Sequence, residues 1–397
     1  MKRLPLLISL FLFACCSRSA DPYSGFLHEL MVSGEYPAGY DYDPASAVVT
    51  VEDVNRGDVY SKSPSADGAV RFRLPVGLYR VSCRNVGADD IFNGTCDKVK
   101  LASALALSVP LAHSRAGRIV FKEIYCGGCM KYPEQGTYQS DQYVILHNNY
   151  PGVQYLDGLC FGTLAPYNSN ASNPFITDGN LPDFLPIIQA VWQFGGDGDD
   201  FPLQSGEDAV LCLRGAIDHS AQYPLSVNLD RPGYFVCYNE TYFTNPQYHP
   251  APGPNISRER ILDVVVKTGQ ANAYTFSVSS PAAVIFRAPE GTTMKEYVQQ
   301  EGSIVQIPGS SVDRVVKIPP EWVVDAVEVF NGSSTSNLKR LPSSVDAGYV
   351  ALSGTFLGHT LFRLADEQMS SSLGYEVLSD TNNSSEDFYE REEQSLK

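Results

Sequence analysis

Cys126-Gly127-Gly128-Cys129 is the tightest cluster of reactive side chains in the chain. Two thiols at that spacing share a thiolate and support redox chemistry when they open a helix, whose free amides stabilise the anion. Here the strand-like run Ile119 to Tyr125 precedes them, and Met130-Lys131-Tyr132-Pro133, which cannot start a long helix, follows. The pair therefore reads as a disulfide stapling a loop. With no second Cys-x-x-Cys and no paired His motif, no zinc site is expected. Gly195-Gly196-Asp197-Gly198-Asp199-Asp200 offers the oxygens that calcium favours. It lacks the spacing of a calcium-binding loop with its terminal Glu and runs straight into Phe201-Pro202-Leu203, so it reads as a solvated turn. Asp380-Thr381-Asn382-Asn383-Ser384-Ser385-Glu386-Asp387 reads the same way, because Asn and Asp side chains bond their own backbones without any ion.

Asp218-His219 is the best adjacent acid and imidazole pair, and His147 lies on a strand that could approach it. Successive residues of a strand point to opposite faces, which leaves Asp218 badly placed to orient His219. Gly-x-Ser-x-Gly, His-Glu-x-x-His and phosphate-loop patterns are absent. No catalytic residue, metal or cofactor is therefore expected. An exported enzyme would have to build its site from distant loops, with Asp218, His219 and the acidic turn as its first members.

Aromatic residues are the remaining chemical resource, and they are unevenly chosen: 23 Tyr against 2 Trp. Tyrosines of one stretch, Tyr132 to Tyr167, are mixed with Asn148, Asn149, Asn168 and Asn170, and a second set runs from Tyr234 to Tyr248. Loop Tyr with Asn combines rigid contact area with adaptable hydrogen bonding, which makes Tyr150, Tyr155, Tyr167, Tyr242 and Tyr248 the binding-loop candidates. Many other loop tyrosines are expected to pack their own loops.

The elements that must carry these residues read as strands. Short apolar runs separated by Gly, Pro and Asn give an all-β chain with long loops, long enough for two or three cores. Val48, Val49 and Val51 form one strand, and Asn55-Arg56-Gly57-Asp58 and Asp67-Gly68 form turns. The alternation of Val70, Phe72 and Leu74 turns one face inward. A formal charge of −16 repels phosphate backbones and anionic headgroups, so no nucleic-acid partner is expected and a basic membrane-binding face is excluded. Apart from Cys15 and Cys16, seven cysteines remain, an odd number. In an oxidising compartment the expected pairs are Cys83 with Cys96, Cys126 with Cys129, and Cys160 with Cys212, leaving Cys237 buried and unpaired.

Lys2 and Arg3 followed by the apolar run Leu4 to Ala14 fit a secretory leader too short to span a bilayer. Leu12-Phe13-Ala14-Cys15 resembles the lipobox of lipoprotein signal peptidase substrates, which implies cleavage after residue 14, lipidation of Cys15 and a tether over 15–26. The membrane is then met through lipid. The stretch "DGAVRFRLPVGLYRV" resembles the transthyretin-like or carboxypeptidase-regulatory-like module, implying an Ig- or transthyretin-like β-sandwich over 27–114. Ile119 to Tyr125, Leu156-Asp157-Gly158-Leu159, "PLQSGEDAVLCLRGAIDHS" and the Gly374 to Phe388 segment resemble a lamin-tail-like, Ig-type sandwich, implying one over 115–397 with long inserted loops at about 165–200 and 240–315.

As a whole the chain resembles a family of outer-membrane lipoproteins from Bacteroides-like bacteria. The resemblance is carried by Ile318-Pro319-Pro320-Glu321-Trp322-Val323-Val324-Asp325-Ala326-Val327-Glu328, Lys339-Arg340-Leu341-Pro342, Asp346-Ala347-Gly348 and Asp380 to Phe388. It implies an outer-membrane location and an association with TonB-dependent receptors, and it implies no activity. The reading is a non-catalytic, lipid-anchored binding or accessory protein, with a structural or adhesive surface protein as the alternative.

Overall fold

Burial alternates residue by residue along Ala47–Asp53 and most of Gly77–Val86, the signature of a sheet with one face on a core and one toward water. In the computed structural model, which describes residues 27–397 except 66, 67, 88, 89 and 333, these strands belong to a five-stranded sheet. Its order is Val59–Lys62, Ala47–Asp53, Gly77–Val86, Asp90–Leu101 and Ala112–Arg115. A second sheet faces it, with Leu27–Glu35 between antiparallel Ala69–Pro75 and parallel Leu105–Pro110. Leu30, Val32, Val49, Val51, Phe72, Tyr79 and Val81 fill the space between them. The expected leader, Cys15, the tether and Asp67 of the second turn lie outside the described residues. The turn at Asn55 is fixed by Asp53, whose carboxylate accepts from the amides of Asn55 and Arg56, each at 3.0 Å.

Beyond Arg115 the chain enters a second, larger sandwich. One sheet runs Phe235–Val236, Asp208–Cys212, Tyr143–Asn148, Ile119–Tyr125, Thr360–Arg363 and Phe388–Arg391. The other runs Ile304–Gln306, Arg314–Ile318, Leu185–Gln193, Cys160–Leu164, Ala282–Phe286, Val323–Phe330 and Val350–Ala351, with Asp263–Lys267 pairing Leu185–Gln193 at the side. The segments 165–200 and 240–315, expected as inserted loops, therefore supply strands of this sheet. The architecture is all-β: helices among the described residues are confined to Met294–Tyr297, Glu367–Leu373 and Ser384–Asp387, apart from short 3-10 turns. No described helix is long and apolar enough to cross a membrane.

Strands of the second sandwich are buried on both faces, which is why they read as continuous apolar runs. In Ala282–Phe286, Ala283 and Ile285 face the core between the sheets, while Ala282, Val284 and Phe286 face a second cluster outside. In Tyr143–Asn148, Val144 and Leu146 face inward, and Tyr143 and Ile145 meet an outer cluster with Val227, Leu229 and Val236. The long loops thus serve first as lids over the outer faces.

This two-faced burial decides the cysteines. All seven in the described residues are free thiols. Cys160 belongs to the outer cluster of one sheet and Cys212 to that of the other, so the expected Cys160–Cys212 pair points in opposite directions. Cys83 stands opposite Gly94 and Cys96 opposite Val81, two register positions apart on neighbouring strands. Such diagonal Cβ atoms lie farther apart than the roughly 3.5–4.5 Å that a disulfide needs. Cys126 faces the core between the sheets while the Cys129 thiol turns to the Asp141 carboxylate, so the two thiols do not staple the loop between them.

The two sandwiches are joined by polar contacts. Asn93 donates to the Thr381 carbonyl at 2.6 Å, Arg84 pairs with Glu386 at 2.6 Å, and the Gly117 amide donates to Asp380 at 2.6 Å.

Candidate functional site

Strand Tyr143–Asn148 runs from one end of the larger sandwich to the other, and the residues singled out above divide between those ends. At its start, away from the smaller sandwich, sits a buried polar cluster. The Asp141 carboxylate accepts from Ser226 Oγ at 2.6 Å and Tyr125 OH at 3.1 Å through one oxygen, while its other oxygen has no partner. Burial pushes this carboxyl above the usual range, and those hydrogen bonds restrain the rise. The same burial, followed by the Asp141 charge, raises the Cys129 thiol to about 12, and burial raises Cys126 to about 12. Neither thiol is an activated thiolate.

His219 is held neutral. Its Nε2 donates to the Gly215 carbonyl at 2.8 Å, so Nδ1 accepts from Tyr138 OH at 2.7 Å, and burial lowers its pKa. Asp218 does not orient it. Its carboxylate accepts from Ser220 Oγ at 2.6 Å and the Ala221 amide at 3.2 Å, closing a turn. His147 lies at the other end of its strand, with its ring nitrogens facing Asp208 at 2.6 Å and the Glu376 carbonyl at 2.9 Å. Burial acts to raise the Asp208 pKa, but the bonds from His147 and Lys122 outweigh it and hold it low. The geometry does not bring His147, Asp218 and His219 together.

Arg214 is the residue that sequence reasoning missed. It is 3% exposed, forms no ion pair among the described residues, and makes one long bond, 3.3 Å, to the Gln139 carbonyl, leaving Nε without a partner. Burial lowers its pKa, opposed by the nearby Tyr167, Tyr138, Asp141 and Tyr248. A signal was present in the sequence: a charged residue placed directly after the buried run Val210-Leu211-Cys212-Leu213 has no exposed face to occupy.

Tyr167 and Tyr248 thus both lie within electrostatic range of Arg214, from loops about 80 residues apart in sequence, and both are partly open to solvent, at 37% and 47% exposure. Their mount is firm. Phe243 stacks on Trp192 at 5.5 Å and His249 on Tyr238 at 5.1 Å, anchoring the loop that presents Tyr242 and Tyr248 outward. Burial, then the Arg214 charge, lowers His249 to about 4, so this anchor stays neutral. Asn239 accepts from the amides of Thr241 and Tyr242, each at 3.0 Å, and fixes the turn. Tyr234 and Tyr238, by contrast, pack the outer core.

Tyr150 and Tyr155 lie at the other end, toward the smaller sandwich. Tyr150 is half-buried beneath Arg118, 4.3 Å from its ring centre, and the Tyr155 carbonyl accepts from Arg287 at 2.7 Å. The acidic turn sits nearby and is organised by its own protein groups. Asp157 accepts from the amides of Gly198, Asp200 and Phe201 at 3.0–3.1 Å. Gly196 has φ +94°, and a Cβ there would fall 2.0 Å from Asp157 Oδ1, so only glycine fits. Among the described residues no three His, Cys, Asp or Glu side chains converge as a metal site.

The segments that carried the family resemblance become buried ionic joints. Glu328 and Arg340 pair at 2.6 Å with both side chains fully buried. Asp346 accepts from the amides of Glu328, Gly348 and Ser384. Arg363 meets Asp325 at 2.5 Å, Asp380 at 3.3 Å and Asp387 at 3.6 Å.

Comparison with known proteins follows this division. A family model described as "Protein of unknown function (DUF4876)" matches residues 204–395, a span that holds both of these joints together with Arg214, His219 and Tyr248. Among solved structures, the chain is similar to a DUF4876 family protein from Bacteroides thetaiotaomicron VPI-5482, with 26% identity, 91% of this chain and 94% of that chain covered, and a TM-score of 0.61. An alignment with the fimbrial anchor protein Mfa2 from Porphyromonas gingivalis covers 47% of this chain and 78% of that one at 12% identity and a TM-score of 0.18. No curated protein matches the chain.

Proposed function

We propose that this chain is a non-catalytic binding protein of the outer membrane, anchored through lipid on Cys15 and acting as an accessory subunit beside a TonB-dependent receptor. In this reading the smaller sandwich is a transthyretin-like base and the larger a lamin-tail-like platform that presents the contact surface. The observation that supports it best is that partly exposed Tyr167 and Tyr248, from separate loops, both lie within electrostatic range of the buried Arg214, which has no ion-pair partner among the described residues. Rigid tyrosine surface held on a packed loop suits recognition of a protein partner, where Tyr carries much of the binding energy. The leader Leu12-Phe13-Ala14-Cys15 supplies the address.

The anchor has a direct test. One acyl chain holds a protein only marginally, whereas the several chains of a processed lipoprotein hold it stably. Replacing Cys15 with Ala is expected to move the protein from the membrane pellet to a soluble or unprocessed form. Membrane fractionation identical to wild type would remove lipid attachment from the proposal.

A further inference from the structure

The connection between the two sandwiches borders a cavity of 660 Å³ that the contact surface at the far end does not involve. Its wall includes Arg115 from the end of strand Ala112–Arg115, Arg118 from the linking segment, Arg287 just past strand Ala282–Phe286, and Asn382. In a chain of net charge −16, three guanidinium groups face one carboxylate here, that of Glu321, and none of the three has a carboxylate within ion-pair distance among the described residues. Arg84, Arg340, Arg363 and Arg391 by contrast each have at least one.

The three are held differently. Arg287 donates to the carbonyls of Asp157 and Tyr155, which fixes its plane without neutralising its charge. Arg118 lies over the Tyr150 ring, so its face is occupied while its edge N–H groups remain available. Arg115 is exposed, and its guanidinium forms no ion pair among the described residues. His113 belongs to the wall but is already engaged, by Asp90 at 2.6 Å and by stacking on Tyr40 at 3.9 Å.

We infer that this cavity binds a small solute carrying two or more oxyanion groups, phosphate or carboxylate, through Arg115, Arg118 and Arg287. Guanidinium forks match both kinds of anion in a bidentate manner, and two of the three are positioned before any ligand arrives. The volume suits a small organic molecule, within the roughly 300–1,000 Å³ of ordinary ligand sites. This site is independent of the tyrosine surface, so loss of either proposal leaves the other standing.

Calorimetric titration of the full-length protein at low salt, with pyrophosphate in one arm and citrate in the other, tests it. Saturable binding in either arm is expected, and the tighter arm identifies the anion class. The binding should weaken as salt is added. The double substitution Arg115→Gln and Arg118→Gln is expected to weaken it about tenfold per guanidinium removed. Both side chains are exposed, and an unchanged thermal midpoint in the double variant confirms its fold. Arg287→Lys, which keeps the charge and loses the fork, should also weaken binding. No saturation by about 10 mM in both arms, or undiminished affinity in the double variant, would overturn the proposal.

Discussion

Arg363→Met is expected to destabilise the protein by about 3–5 kcal/mol, the cost of leaving buried charges without their partner. Arg363 is 1% exposed and joins three strands' worth of structure: Nε donates to the Phe121 carbonyl at 2.7 Å, Nη2 reaches Asp325 at 2.5 Å, and Nη1 reaches the Ser379 carbonyl at 3.1 Å. Its face lies 4.6 Å from the Phe388 ring. One cation cannot fully compensate Asp325, Asp380 and Asp387. Burial pushes Asp325 and Asp387 up to about 7, with Arg363 opposing the rise and Asp380 adding to it. A carboxyl with a folded pKa above its unfolded value binds more protons when folded. Its stabilising contribution is therefore complete near pH 4 and is lost as pH rises through about 7. Chemical denaturation should show the wild type more stable at pH 5.5 than at pH 8, with the difference larger in Arg363→Met. Equal stability at the two pH values would show that these acids are ionised throughout.

The second large effect is expected at Arg340, again about 3–5 kcal/mol for Arg340→Met. Its guanidinium gives two bonds to Glu328 Oε1, at 2.8 and 2.6 Å, and others to the carbonyls of Ser280 and Val329 at 2.9 and 3.0 Å. The other Glu328 oxygen accepts from the amides of Arg340 and Leu341 at 2.7 and 2.9 Å. Removing the cation leaves a fully buried carboxylate that two amides cannot compensate. Adding Glu328→Gln should recover part of the loss, because the uncompensated charge disappears while an acceptor for those amides remains. If the double variant is as unstable as the sum of the singles measured by urea denaturation, the pair is not coupled as described.

These joints show what was legible in the sequence and what was not. Alternation in Val70, Phe72 and Leu74 marks an inward face, and the structure buries all three. Asp325, Glu328, Arg340 and Asp387 lie in the segments that carry the resemblance, but a linear pattern gives no reason to join Glu328 to Arg340 or Asp325 to Arg363. Those contacts depend on strand order, which sequence periodicity does not encode. The same limit undid the cysteine pairing: Cys160 and Cys212 sit in similar apolar runs, and only the sheets' outer clusters reveal that they face apart. The segments 165–200 and 240–315 looked like insertions because Pro, Asn and Gly break them up, yet Leu185–Gln193 and Ala282–Phe286 are central strands. At the tyrosines the sequence identified residue type, and the fold sorted position. Tyr167 and Tyr248 both fall within electrostatic range of Arg214, while Tyr150 lies at the opposite end beneath Arg118.

The most direct measurement of the proposed role is recovery of partners from native membranes with affinity-tagged full-length protein, comparing wild type with the Tyr167→Ala and Tyr248→Ala double variant. Both side chains are partly exposed, at 37% and 47%, so the thermal midpoint should fall far less than after a core truncation. A TonB-dependent receptor should copurify with the wild type and fall by about tenfold or more with the variant, as expected when two aromatic anchors are removed from an interface. Equal recovery of that receptor by both proteins, or its absence from both, would contradict binding through this surface.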